Sequence, residues 1–194
     1  MIRELGLIRY IKYLNTLRKL PAAHRSTLLK IIKIYQQLDK EIGQFKHRTG
    51  LSCPSGCGQC CESPKVESTI LEALPLAAEL YRLKIIGRWK DDFSLPLSKQ
   101  RCIFYRTDDS VLGNGRCTVY AFRPLMCRLF GFSAFQDKYG RLLLYTCAGI
   151  KTADTQRFQK AQLAIDQGQR IPRMSDYSMR IFNLDPYLGR ERFL

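Results

Sequence analysis

Cys53-Pro54-Ser55-Gly56-Cys57-Gly58-Gln59-Cys60-Cys61 places four thiols within nine residues, spaced C-x3-C-x2-C-C. Spacings of two and three residues let a short turn aim several sulfurs at one point. The glycines let the backbone bend there and leave amides free to hydrogen-bond thiolate. Thiolates suit Zn(II) and iron–sulfur clusters. Cys57 and Cys60 read as a chelating pair. Adjacent Cys60 and Cys61 are expected to point in different directions, so that one serves a second metal or a cluster corner. Gly50, Pro54, Gly56, Gly58 and Pro64 exclude regular structure from 50 to 64 and leave a cysteine-rich loop between helices.

Four further thiols, Cys102, Cys117, Cys127 and Cys147, bring the total to eight. Four-coordinate sites need four ligands each, so the set could close two metals, or one cluster with spares. The start of the chain carries charges inside its apolar stretch and makes a poor secretory signal. The expected location is therefore cytoplasmic, a reducing compartment where clustered cysteines mean metal or catalysis rather than disulfides. Scattered buried thiols would account for Cys102 or Cys147 alone, but not for four in nine residues.

Working outward, apolar residues at Leu5, Ile8, Ile11, Leu14 and Leu17 predict a helix over 2–18. Pro21 ends it, and a second helix is predicted over 22–46. A third is expected over 67–85, where Pro75 predicts a kink or two shorter pieces. Residues 87–100 read as a linker. A strand over 102–106, a turn at Gly113-Asn114-Gly115 and a returning strand over 116–120 form a hairpin. One helical turn is expected in 121–130, a strand over 142–145 and a helix over 153–167, with a mixed tail from Ile171. The expected fold class is α+β: a mostly helical single domain with a small antiparallel β-hairpin packed beside a cysteine-rich metal-binding loop. Its parts are a basic amphipathic helical segment (1–48), a cysteine-cluster domain (49–150), and a C-terminal helix and tail (151–194) in the same globular unit.

The 194 residues are 45% hydrophobic and 25% charged, which excludes wholesale disorder. No apolar run approaches the roughly 20 residues a spanning helix needs. The net charge of +15 is concentrated at the start: residues 1–48 hold 11 Lys/Arg and 3 Asp/Glu. Such a surface attracts phosphates, acidic proteins or anionic lipid heads. The two basic helices could lie on a membrane or cradle nucleic acid. The commoner arrangement packs their apolar stripes on a core and turns Lys and Arg outward.

The loop is followed by Gly115-Arg116-Cys117-Thr118-Val119-Tyr120-Ala121-Phe122-Arg123-Pro124-Leu125-Met126-Cys127-Arg128. Together the two stretches resemble the zinc- or iron-chelating cysteine-cluster (YkgJ-type) family, whose pattern is C-x3-C-x2-C-C, a later Cys, then G-x-C-x-x-Y-x-x-R-P-x-x-C-R. The resemblance runs from about Lys46 to Cys147. Cys53, Cys57, Cys60, Cys61, Cys102, Cys117, Tyr120, Arg123, Pro124, Cys127 and Arg128 fall on motif positions, and Cys147 matches a trailing Cys that many members carry. The resemblance implies that the eight cysteines hold zinc, iron or a 4Fe-4S cluster. Bacterial flagellin lysine N-methylases resemble the same family more distantly.

Three functions are compatible with these features: a structural or redox metal-binding module, a metal-cluster-dependent protein-modifying enzyme transferring methyl groups, or a zinc-stabilised nucleic-acid binder. Cys53, Cys57 and Cys60 also match the three-Cys spacing of radical S-adenosylmethionine enzymes, but too little chain follows to build their barrel. The expected partners are a metal ion or cluster, and an acidic protein or nucleic acid on the basic helices. Arg123 and Arg128 are expected either to neutralise the thiolates or to lie on the surface. Tyr120 reads as a core residue, with donation to a sulfur the alternative, His47 as a nitrogen ligand in reserve and His24 as a surface residue. Cys57, Cys60, Cys117 and Cys127 are expected within metal-binding reach of one another.

Overall fold

The computed structural model describes residues 7–54, 56–63, 66–85, 101–108 and 114–193. Helix α1 (Leu7–Leu17) and helix α2 (Ala22–Thr49) form an N-terminal hairpin. In α1 every third or fourth residue is apolar, so Tyr13 and Leu17 point inward and are fully covered. Helix α2 ends where Gly50 turns left-handed and its amide returns to the Lys46 carbonyl at 2.9 Å.

The loop after α2 contains one helical turn, α3 (Gln59–Glu62), which carries Cys60 and Cys61. Regular structure was not expected there. Gly58 precedes the turn, and the Cys61 amide donates to the Gly58 carbonyl at 2.8 Å. Strand β1 (Ser68–Thr69) leads into α4 (Ile70–Arg82), whose first turn is capped by the Thr69 hydroxyl accepting from the Glu72 amide at 3.2 Å. Of the kink or two shorter pieces predicted at Pro75, the second is not found: the helix runs through as one piece. Pro75 is buried there, and its carbonyl accepts from the Tyr13 hydroxyl at 3.0 Å.

Strands β2 (Tyr105–Thr107) and β3 (Gly115–Cys117) pair antiparallel, with Tyr105 opposite Cys117. These are the core of the predicted hairpin, each strand shorter than expected. Of the predicted turn, Gly115 belongs to β3 and Asn114 bridges to Cys57, while Gly113, the predicted linker and the start of the first predicted helix lie outside the described residues. Then follow a 3-10 turn (Tyr120–Phe122) and α5 (Leu125–Leu129). Strands β4 (Ser133–Gln136) and β5 (Leu142–Tyr145) make a second antiparallel pair, of which only β5 was expected from the sequence. Helices α6 (Ala148–Ala153), α7 (Thr155–Asp166) and α8 (Met174–Phe182) follow. Strand β6 (Arg192–Phe193) then pairs antiparallel with β1.

Three apolar clusters share α2. Leu28 and Ile32 join Tyr13, Leu17, Leu76 and Phe122. Ile31, Ile34, Tyr35 and Leu38 join Leu71, Leu125, Tyr177 and Ile181. Phe45 joins Leu51, Phe132, Leu144 and Ile165. Early, middle and late segments therefore interlock in one mostly helical α+β domain whose β2–β3 hairpin stands beside the cysteine loop. No helix among the described residues is long and apolar enough to cross a membrane.

Candidate metal centre

The two cysteine-bearing stretches are sewn together through the backbone. The Gly115 amide donates to the Gly56 carbonyl at 2.8 Å, and the Cys102 amide donates to the Cys61 carbonyl at 2.9 Å. Cys57 and Asn114 form an isolated antiparallel bridge. Gly56 adopts φ +69°, which an L side chain resists, and a Cβ there would strike the Asn114 side chain. The Tyr105 ring fills the space between loop and hairpin. A Cβ on either Gly58 or Gly115 would overlap that ring, so both glycines are required for the two stretches to close on it.

Cys61 is the hub. Its thiol is hydrogen-bonded to Cys60, Cys102 and Cys117, and these contacts hold its proton far above the ordinary thiol range. The three neighbours respond in the opposite sense. The Cys61 hydrogen bond brings the Cys60 thiol down to about 6, with Arg123 assisting. The same contact brings Cys102 down to about 7. It also lowers Cys117, again with help from Arg123. Crowded thiols compete for protons, so holding one on Cys61 favours ionisation of its neighbours.

Cys53 and Cys57 make a neighbouring pair. Burial, then the charge of Cys57 and its hydrogen bond, push the Cys53 thiol up to about 12, and Cys147 and Cys60 are near enough to contribute. Cys147 caps α6, its sulfur accepting from the Ile150 amide at 3.3 Å. Burial pushes Cys127 up to about 12, against the pull of Arg123; the charges of Cys102, Cys117 and Cys60 also reach it. All eight cysteines are free thiols. Among the described residues, no three Cys, His, Asp or Glu side chains are already gathered around a common ion position; the sulfurs contact one another instead.

The set anticipated from the sequence was Cys57, Cys60, Cys117 and Cys127; the observed hub is Cys61, with Cys57 beside Cys53. Cys60 and Cys61 interact with each other and both act on Cys102, while Cys60 but not Cys61 lines the neighbouring cleft. The two arginines of the motif separate. Arg123 stacks on Tyr120, 3.4 Å from its ring centre, donates to the carbonyls of Tyr120 and Cys127, and supplies positive charge to the sulfurs. Arg128 is fully buried and serves the fold. It contacts Asp39 at 2.7 Å, donates to the carbonyls of Arg123 and Ala121, and lies over the Tyr35 ring. Tyr120 is half-exposed rather than a core residue. His24 and His47 are both exposed on α2.

A cleft of about 740 Å³ opens beside the sulfurs, with Cys60 and Cys147 in its wall. Leu129, Met126 and Phe182 form apolar parts of its lining, and Glu72 reaches it from α4. Burial raises the Glu72 carboxyl, although it accepts hydrogen bonds from Thr69 and from the amides of Met126 and Leu125. Those last contacts tie the start of α5, the helix of Cys127, to α4. Neither the cleft nor the Tyr105 wedge had a signal in the sequence, because each is assembled from distant segments.

Residues 52–163, more than half of the chain, match the CxxCxxCC family, described as “Putative zinc- or iron-chelating domain”. The chain belongs to that family. No curated protein and no solved structure matches the chain, and the resemblance to lysine N-methylases finds no support in these comparisons.

Proposed function

We propose that this domain chelates zinc or iron through Cys60, Cys61, Cys102 and Cys117, with Cys53, Cys57, Cys127 and Cys147 as a surrounding set that completes a second site or a cluster. The observation carrying this reading is the convergence of sulfurs from three separate stretches on Cys61, with the stretches held together by the Cys102–Cys61 and Gly115–Gly56 backbone hydrogen bonds. A bound cation would replace the proton held on Cys61 and offset the mutual repulsion of the thiolates. Four thiolates around Zn(II) carry net −2, and Arg123 is the side chain placed to offset it.

Metal analysis of anaerobically purified protein tests the proposal. Stoichiometric zinc without colour identifies a thiolate zinc site, whereas iron with sulfide and visible absorption identifies a cluster. Cys61→Ser is expected to release the metal and lower the melting temperature. Protein that purifies metal-free and takes up neither ion would defeat the reading. A second reading, metal-dependent modification of a substrate, is favoured by the cleft that meets Cys60 and Cys147. Catalytic metals keep one position open, and that is the side on which a substrate could approach. Loss of metal without loss of any transfer activity would exclude it.

A further inference from the structure

The N-terminal helix presents a face that neither the metal centre nor the apolar core uses. Between Leu7 and Leu38 the chain contains no Asp or Glu, but it holds Arg9, Lys12, Arg18, Lys19, Arg25, Lys30 and Lys33. Arg9 is committed to Glu79 at 3.1 Å, and Arg25 donates to the Arg18 carbonyl at 3.2 Å. The inner side of α1 is spent on the protein, where Tyr13 and Leu17 are buried. Its outer side carries Ile8, Ile11, Lys12 and Asn15 at three- and four-residue spacing, and the turn that follows adds Arg18 and Lys19; all six are exposed. Ile8 is 74% exposed and Ile11 47%, beside three cations and, among the described residues of this face, no acid. This helix lies outside the family match at 52–163.

We propose that the outer face of α1 docks in the plane of an anionic lipid surface. Lys12, Arg18 and Lys19 would meet lipid phosphates while Ile8 and Ile11 enter the headgroup–acyl boundary. The isoleucines decide between partners. A nucleic-acid backbone would engage the cations and leave two large aliphatic side chains in water. A lipid interface takes both kinds of side chain at once, and the absence of acidic residues along the segment removes the repulsion an anionic surface would otherwise meet.

The test is co-sedimentation of the full chain with vesicles of phosphatidylcholine alone and of phosphatidylcholine mixed with phosphatidylglycerol. Binding is expected only to the anionic vesicles and should weaken with salt. Lys12→Glu with Lys19→Glu should reduce partition at least about tenfold. Ile8→Ser with Ile11→Ser should also reduce it, while Lys138→Glu, on the distant β4–β5 turn, should leave it unchanged. All three variants alter exposed positions, so melting temperature and metal content serve as the check on folding. Failure of the unmodified protein to bind anionic vesicles overturns the proposal. So does vesicle binding that ignores the isoleucine pair, or preferential binding to single-stranded RNA that responds only to the charge reversals.

Discussion

Arg128 reaches across from α5 to Asp39 on α2, one guanidinium nitrogen lying 2.7 Å from each carboxylate oxygen. The arginine side chain is wholly covered and the carboxylate is one-quarter exposed. Breaking a buried pair leaves an uncompensated charge, so Arg128→Met should cost about 3 kcal/mol in denaturant unfolding. Arg128→Lys should recover only part of this, because an ammonium cannot also serve the Ala121 and Arg123 carbonyls. Pairing Arg128→Met with Asp39→Leu should restore more than Arg128→Lys does if the cost is chiefly electrostatic.

In metal-free protein the thiols should react in a defined order. Cys60 is exposed and brought down to about 6, whereas Cys53 and Cys127 are pushed up to about 12. Iodoacetamide at neutral pH should therefore label Cys60 well before those two, as mapped by peptide mass spectrometry. The Cys61 hydrogen bond outranks Arg123 in lowering Cys60, so Cys61→Ala should slow labelling more than Arg123→Gln does. Equal slowing by the two substitutions would contradict this ordering.

Gly58→Ala and Gly115→Ala should each drive a methyl group into the Tyr105 ring. Overpacking of this kind costs about 1–3 kcal/mol. Both should lower the melting temperature and reduce metal content together, because the ring fixes the distance between loop and hairpin. Adding Tyr105→Leu should return part of the metal content in either variant.

Burial raises the Glu72 carboxyl above its unfolded value. Its stabilising contribution is thus present at pH below the unfolded value and is lost as pH rises through the folded one. Glu72→Gln keeps an acceptor for the α5 amides without the charge. Its stability relative to the unmodified protein should improve between acidic and neutral pH, as read by melting at each. A difference that runs the other way would mean that the carboxylate contacts outweigh burial.

The cysteine loop and the Cys117–Cys127 stretch were legible in the sequence because cysteine spacing is a local property. So were α1, α2 and α7, whose apolar stripes recur at helical period, and β5, a short apolar run. The remainder depends on partners distant in the chain. The turn α3 forms in a glycine-rich loop because Cys61 closes onto Cys102. Strand β4 contains Ser133 and Gln136 and carries no clear alternation, and it exists through pairing with β5. The tail supplies β6 only because Ser68 and Thr69 are waiting for it. Arg123 and Arg128 lie five residues apart in one motif, yet one attends the sulfurs and the other is sealed in the core. Residue type alone could not divide those roles.

Helix α2 is 28 residues long and spans about 42 Å, contributing side chains to all three apolar clusters in succession. It acts as a common axle: no cluster can loosen without straining a rod that the other two also grip. The domain should accordingly melt in one step rather than piecemeal, and the cysteine loop, fastened at the rod's far end, inherits the rigidity of the entire assembly.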